Sequence, residues 1–149
     1  MIRKAFIHDI KPAHKLINDF ANKQLMLARP LNELYENLRD YFVCVDGETL
    51  IGVCALHVMW ENMSEIKSLA VAEDSQKKGI GRQLVESCIN EAKALGVQRI
   101  MVLTYVPEFF VKMGFTKIDK TTLPQKTWGE CLHCPKFPDC DEQALLIEL

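Results

Sequence analysis

Positive charge is scarce in these 149 residues: 18 lysines and arginines face 20 aspartates and glutamates, for a formal net charge of −2. Nucleic-acid binding draws its affinity from a basic surface, so no nucleic-acid partner is expected. Long apolar runs are also lacking. None approaches the roughly 18 residues of a membrane span, so no membrane partner is expected. The opening stretch Met1-Ile2-Arg3-Lys4-Ala5-Phe6-Ile7-His8 is too short in apolar residues for an export signal, and the expected location is cytoplasmic. Repeats and low-complexity linkers are missing. Hydrophobic residues make up 48% and charged residues 26%, which excludes disorder as the main state. The length suits one domain spanning 1–149 and leaves no room for a separate kinase, regulatory or DNA-binding module.

Six cysteines stand out against these absences. Cys44, Cys54 and Cys88 sit inside apolar segments and read as core. Cys131, Cys134 and Cys140 cluster near the end, without the even spread of a disulfide scaffold. That cluster fits metal binding, a redox pair or packing. Cys131-x-x-Cys134 is a good chelate, and His133 or Asp139 could join Cys140 as ligands. A structural zinc wants four ligands, and no second C-x-x-C is present, so no metal is assigned.

Apolar spacing sets the expected elements. Ile2 to His8 reads as a strand, and Asp9 with Pro12 signals a helix start. Leu16, Ile17, Phe20 and Ala21, with Leu25 one turn on, give that helix a buried face. Arg29-Pro30 ends it. Leu31, Leu34, Tyr35 and Leu38 form a second short helix. Strands are expected over Tyr41–Val45, Thr49–Met59 and Glu65–Val71, turned at Asp46-Gly47 and Glu61-Asn62 into an antiparallel meander. Ile80 to Leu95 is a helix closed by Gly96, followed by a strand over Val97–Thr104. Strand, loop, helix and strand make a βαβ unit, so that strand pair is expected to be parallel. A short helix over Pro107–Met113 ends at Gly114. Phe115–Ile118 and Ala144–Leu149 read as the last strands, with an irregular, cysteine-containing stretch over 119–142 between them. The fold class is α+β.

The informative motif is Gln76-Lys77-Lys78-Gly79-Ile80-Gly81-Arg82, which joins a strand to a helix start. Backbone N–H groups at a helix start lack internal partners, and the helix dipole favours negative charge there. Gly79 and Gly81 let a phosphate approach the backbone, and Lys77, Lys78 and Arg82 could add charge. A pyrophosphate is the natural guest. The spacing is neither a Walker loop nor the dinucleotide fingerprint, and a plain glycine turn with solvated lysines is the bland alternative.

Three stretches taken together are more specific: Glu65-Ile66-Lys67-Ser68-Leu69-Ala70-Val71, the loop motif, and Phe109-Phe110-Val111-Lys112-Met113-Gly114-Phe115. With them the chain resembles the GNAT acyl-CoA-dependent N-acetyltransferases over roughly residues 1–118. The resemblance implies a splayed, mixed but mostly antiparallel sheet flanked by helices. Acetyl-CoA would lie where strand 65–71 diverges from the strand near 100–104. The backbone of Leu69, Ala70 and Val71 would pair with pantetheine amides, and Gln76 to Arg82 would hold the pyrophosphate. A main-chain N–H near Leu69 would stabilise the oxyanion.

Glu65 matches the glutamate often proposed as general base in that family. An amine must be neutral to attack a thioester, and a nearby carboxylate can take its proton. The alternative is a solvated carboxylate at a strand start. Many members use a tyrosine in the short helix to protonate the leaving thiolate. Phe109-Phe110 stand there instead, so Thr104 or Tyr105 could substitute. Thiolate leaves tolerably near neutral pH, so a weak acid suffices.

Leu25-Met26-Leu27-Ala28-Arg29-Pro30, Ile51 to Leu56, Glu65 to Val71 and Leu103-Thr104 narrow the likeness. They look like the acetyltransferase domain of bacterial N-acetylglutamate synthases. Carried over, Leu27 and Arg29 line the amino-acid pocket, and Lys136 stands in about the place of a second basic residue. A guanidinium grips a carboxylate through two parallel hydrogen bonds. The bland reading of Arg29 is a helix-end cation complementing the dipole. L-glutamate is the expected acceptor, as the first step toward arginine, with a homodimer possible and no metal required. Two other readings stay open. One is an acetyltransferase for a protein lysine or a small metabolite. The other is a non-catalytic CoA-binding sensor.

Overall fold

The computed structural model describes residues 1–119 and 142–149. Among these, seven strands make one sheet. They are β1 (Ile2–Lys4), β2 (Tyr41–Asp46), β3 (Thr49–Trp60), β4 (Met63–Val71), β5 (Arg99–Thr104), β6 (Thr116–Ile118) and β7 (Gln143–Glu148). Their order is β1-β2-β3-β4-β5-β7-β6, and only the β4–β5 pair is parallel. The helices are α1 (Ile10–Asn22), α2 (Leu31–Glu36), α3 (Ile80–Leu95) and α4 (Pro107–Val111). This is the mixed, mostly antiparallel sheet that the resemblance implies.

Each helix covers the sheet face that its apolar spacing selects. Ile10, Ala13 and Ile17 of α1 recur every three to four residues and bury against Val43, Val53, Ala55 and Ala70. Leu84, Val85, Cys88 and Ala92 of α3 bury on the opposite face against Cys54, Leu56, Ile66 and Val102. Cys44, Cys54 and Cys88 are buried thiols, with the Cys54 and Cys88 sulfurs 3.7 Å apart in the α3-side core.

Several boundaries differ from the sequence reading. β1 stops at Lys4 rather than His8. The Asp9 carboxylate accepts the Phe6 N–H at 2.7 Å and grips the Arg3 guanidinium at 2.7 and 3.2 Å, closing a 3-10 turn over Ile7–Asp9. Burial works to raise the Asp9 pKa, but those hydrogen bonds outweigh it and hold the carboxyl below its ordinary value. α1 ends at Asn22, where Gln24 turns left-handed with φ 59°, so Leu25 falls outside the helix and is exposed. Leu38 belongs to a separate 3-10 turn, Leu38–Asp40. β3 and β4 run on to a tight turn with Trp60 opposite Met63, which places Glu65 within the strand instead of at its start. The cysteines at 131, 134 and 140 lie outside the described residues.

One glycine sets how closely α3 approaches the sheet. A Cβ on Gly52 of β3 would stand 3.0 Å from Leu84 Cδ1 and 3.2 Å from Ile80 Cγ2. Leu84 is fully buried and has little room to yield. Overpacking of this kind costs about 1–3 kcal/mol. Gly52→Ala is therefore expected to lower unfolding stability by about that amount in a urea titration.

Candidate active site

The site forms where the sheet splits. β4 and β5 are in register from Met63–Arg99 to Ile66–Val102 and no further. Beyond Ile66, β4 keeps only β3 as a partner, while β5 continues beside β7 to Thr104–Gln143. A strand edge without a neighbour presents N–H and C=O groups that seek a partner. Leu69, Ala70 and Val71 lie on that edge and line a cleft of about 1270 Å³. Cavities for drug-sized ligands hold roughly 300–1,000 Å³, so the cleft has room for a long cofactor and a second substrate.

β4 itself is irregular at this point. Val53 faces Ala70 and Ala55 faces Lys67, so Ser68 and Leu69 together oppose Cys54 in a β-bulge. Ser68 is left-handed, with φ 58°. A bulge leaves a backbone group out of the ladder and bends the strand. Tyr41, buried on β2, shares a hydrogen bond with the Ser68 side chain behind the bulge. Burial pushes the Tyr41 phenol up to about 12, against the smaller opposing pull of Ser68 and Arg29.

The loop from Gln76 to Gly79 lines the far end of the cleft. Lys77 and Gly79 are both left-handed, with φ 67° and 81°, and no side chain caps the α3 N-terminus. Alternating backbone handedness of this kind turns successive N–H groups inward as an anion nest. Together with the α3 dipole, it is a surface suited to a pyrophosphate. Gln76 does not point its amide into that nest. Its Nε2 donates to the Val71 carbonyl at 2.9 Å and ties the loop to the end of β4. Lys77, Gly79, Ile80, Gly81 and Arg82 line the cleft, whereas exposed Lys78 is not part of its wall. Arg82 is held by Glu86 at 3.0 Å on the helix surface. Phe109 packs beside Gly81, so the position of the missing tyrosine is an apolar wall without a proton to give.

The opposite end gathers the polar groups. Glu65 is buried, 6% exposed, yet lines the cleft, as do Thr104 and Tyr105 across the split. Thr104 Oγ1 accepts the Val106 N–H at 3.0 Å, which leaves its own proton to donate elsewhere. Leu27 and Arg29 come in from the connection before α2. Arg29 lies just before the N-terminus of α2, seven residues beyond the end of α1. A helix dipole disfavours a cation there, so the helix-end reading of Arg29 does not apply. Glu33, one turn on, accepts from Arg29 Nη1 at 3.2 Å and orients the guanidinium. Lys136 lies outside the described residues. Lys67 does line the cleft, next but one to Glu65, and is a cation that the sequence reading passed over. Glu33, Glu142 and Phe20 line it as well and were also missed. Only Glu33 carried a local signal, its spacing of four from Arg29. No group of three or more metal-ligating side chains occurs among the described residues.

Residues 7–115 match the acetyltransferase (GNAT) family. An uncharacterised N-acetyltransferase of Chlorobaculum tepidum is 37% identical over 148 residues, which is 99% of this chain and 96% of that one. An amino-acid acetyltransferase of Mycobacterium tuberculosis is 32% identical over 133 residues, 87% of this chain and 76% of that one. The structure of N-acetylglutamate synthase from Neisseria gonorrhoeae, complexed with coenzyme A and N-acetyl-glutamate, shares the fold. Its TM-score is 0.91 at 24% identity, over 100% of this chain and 35% of that one. The chain belongs to the GNAT family, with the family's splayed α+β fold. It is an acetyl-CoA-dependent N-acetyltransferase of that type.

Gly79 offers a direct check on the anion nest. Alanine in a left-handed conformation costs about 1–2 kcal/mol, and 1.4 kcal/mol is tenfold in affinity. Gly79→Ala should let the loop relax and raise the Kd for coenzyme A about tenfold by calorimetry.

Proposed function

We propose that this enzyme acetylates the α-amine of a carboxylate-bearing amino acid, with L-glutamate as acceptor and N-acetylglutamate as product, as in the first step toward arginine. The observation that carries this reading is the shared wall of one cleft. A buried carboxylate, Glu65, stands at the split in the sheet, and the Arg29 guanidinium, 13% exposed, lines the same cleft. The name of the Mycobacterium tuberculosis relative supports an amino acid as acceptor.

The chemistry follows from the placement of these groups. Acetyl-CoA lies along the unpaired edge of β4, its pantetheine amides on Leu69, Ala70 and Val71 and its pyrophosphate in the nest from Gln76 to Arg82. The bulge at Ser68–Leu69 turns a main-chain N–H toward the thioester oxygen, where negative charge develops. Arg29, with Lys67 as a further cation of the cleft wall, holds the substrate's carboxylates, and Leu27 closes on its methylenes. Glu65 takes one proton from the ammonium. The neutral amine attacks the carbonyl carbon, the tetrahedral intermediate collapses and the C–S bond breaks. Thr104 or Tyr105 gives a proton to the departing thiolate and is reprotonated by the second proton that the nitrogen sheds as the amide forms.

A thiol-release assay with acetyl-CoA across amino acids, polyamines and a lysine peptide tests the acceptor. Glutamate should give the highest kcat/KM. No turnover with glutamate alongside turnover with another amine would reject it and leave the enzyme class standing. Glu65→Gln should lower kcat by about 10²–10⁴-fold with acetyl-CoA binding intact. Arg29→Ala removes charged hydrogen bonds of about 1.5–3 kcal/mol each, so the KM for glutamate should rise about tenfold or more while that for acetyl-CoA holds.

A further inference from the structure

Acetylating an ammonium produces an extra proton. R–NH₃⁺ and acetyl-CoA become R–NH–acetyl, CoA–SH and H⁺. The amide keeps one nitrogen proton, the thiol takes one, and one must leave the protein each turnover. If Glu65 is the base, a buried carboxylate collects that proton and must discharge it before the next cycle.

The sheet register shows what stands beside Glu65. Its cross-strand neighbours are His57 on β3 and Met101 on β5. Met101 is fully buried among Met63, Ala144 and further apolar side chains and can carry no proton. His57 is the partner directly opposite in the antiparallel pair. Directly opposed residues share a face, with Cβ atoms about 4.5–5.5 Å apart. Cβ atoms at that spacing bring the imidazole and the carboxyl close enough to share one water. The imidazole side chain is 37% exposed, against a largely buried Glu65, so it leads outward. Its other nitrogen is committed. Nδ1–H donates to Asp40 Oδ2 at 2.6 Å, from the turn that precedes β2. With Nδ1 held as the donor, Nε2 is left to accept a proton. Lys67 on β4 and Tyr41 on β2 lie on the same face two residues along. Lys67 opposes a second positive charge at His57, and Tyr41, with its raised pKa, stays neutral.

We propose that His57, held by Asp40, is the proton exit of this enzyme: it takes the substrate-derived proton from Glu65 on Nε2 and releases it to solvent. The proposal rests on Glu65 as the base and is independent of which amine is acetylated. His57 touches no reacting atom, so it is a positioning and relay residue, and the test must separate a relay from a structural role.

The test measures kcat with saturating acetyl-CoA and the best amine of the panel, in about 2 mM buffer and then with added imidazole. His57→Ala and His57→Gln should lower kcat about tenfold in dilute buffer, less than loss of a primary acid–base group, with both KM values unchanged. Added imidazole should restore kcat of His57→Ala in proportion to its concentration and leave Glu65→Gln slow. Retained acetyl-CoA affinity marks a variant as folded, and if His57→Ala fails to fold, the same buffer series is read on His57→Gln. Wild-type kcat in dilute buffer overturns the relay, and so does a loss that no buffer restores in a folded variant. Full activity of Glu65→Gln instead overturns the assignment of the base, so the two failures are distinguishable.

Discussion

The structure depends on one interrupted interaction, the pairing of β4 with β5. Four residue pairs hold the strands together, and then β4 turns away from its neighbour. A parallel pair inside a covered sheet would ordinarily continue, because unpaired backbone groups in an interior are costly. On the proposed reading, the exposed edge is matched to a ligand that brings its own amides, the pantetheine of acetyl-CoA. The α3 N-terminus stands at the end of that edge, and the substrate groups stand at its beginning. In the proposed mechanism the three parts of the acetyl-transfer problem, anchoring a cofactor, placing a carbonyl and deprotonating an amine, follow one another along a single strand and the loop after it.

Holding that edge open concentrates backbone strain in a short span. Ser68 and Lys77 are both left-handed without being glycine, a conformation that costs of order 1–3 kcal/mol each. Each is braced nearby. Tyr41 bonds Ser68 from β2, and Gln76 bonds Val71 across the base of the loop. Tyr41 braces Ser68 from the core and Gln76 braces the loop from its own exposed end, while Ser68 and Lys77 both face the cleft, as expected where geometry must be set before a ligand arrives.

Much of the architecture is legible in the sequence because it is local. Gly79 and Gly96 bracket α3, and the helix runs over Ile80–Leu95 as its spacing predicts. The meander follows from two tight turns. What periodicity cannot see is a hydrogen bond that competes with it. Phe6 and Ile7 look like strand, but the Asp9 carboxylate captures the Phe6 N–H and curls the chain. Leu25 fits the apolar face of α1, but left-handed Gln24 ends the helix first. In the cleft, the glycine loop carries a type-and-spacing signal, Glu65 and Arg29 are legible through the family resemblance, and Lys67 carries no signal. His57 gains meaning only from strand register, a non-local property that no spacing along the chain reveals.

The bulge in β4 also changes the parity of the strand. Glu65 and Lys67 face the α1 side, and by strict alternation Leu69 would follow them. The extra residue hands that place to Ala70, which packs with Val53, while Leu69 and Val71 turn toward α3. Odd-numbered chemistry and even-numbered packing thus share one face of one strand. Removing a single residue between Lys67 and Ala70 would leave composition and hydrophobicity nearly unchanged, yet it would reverse which face each later residue takes relative to Glu65. In this strand, length decides which side chains meet the cleft.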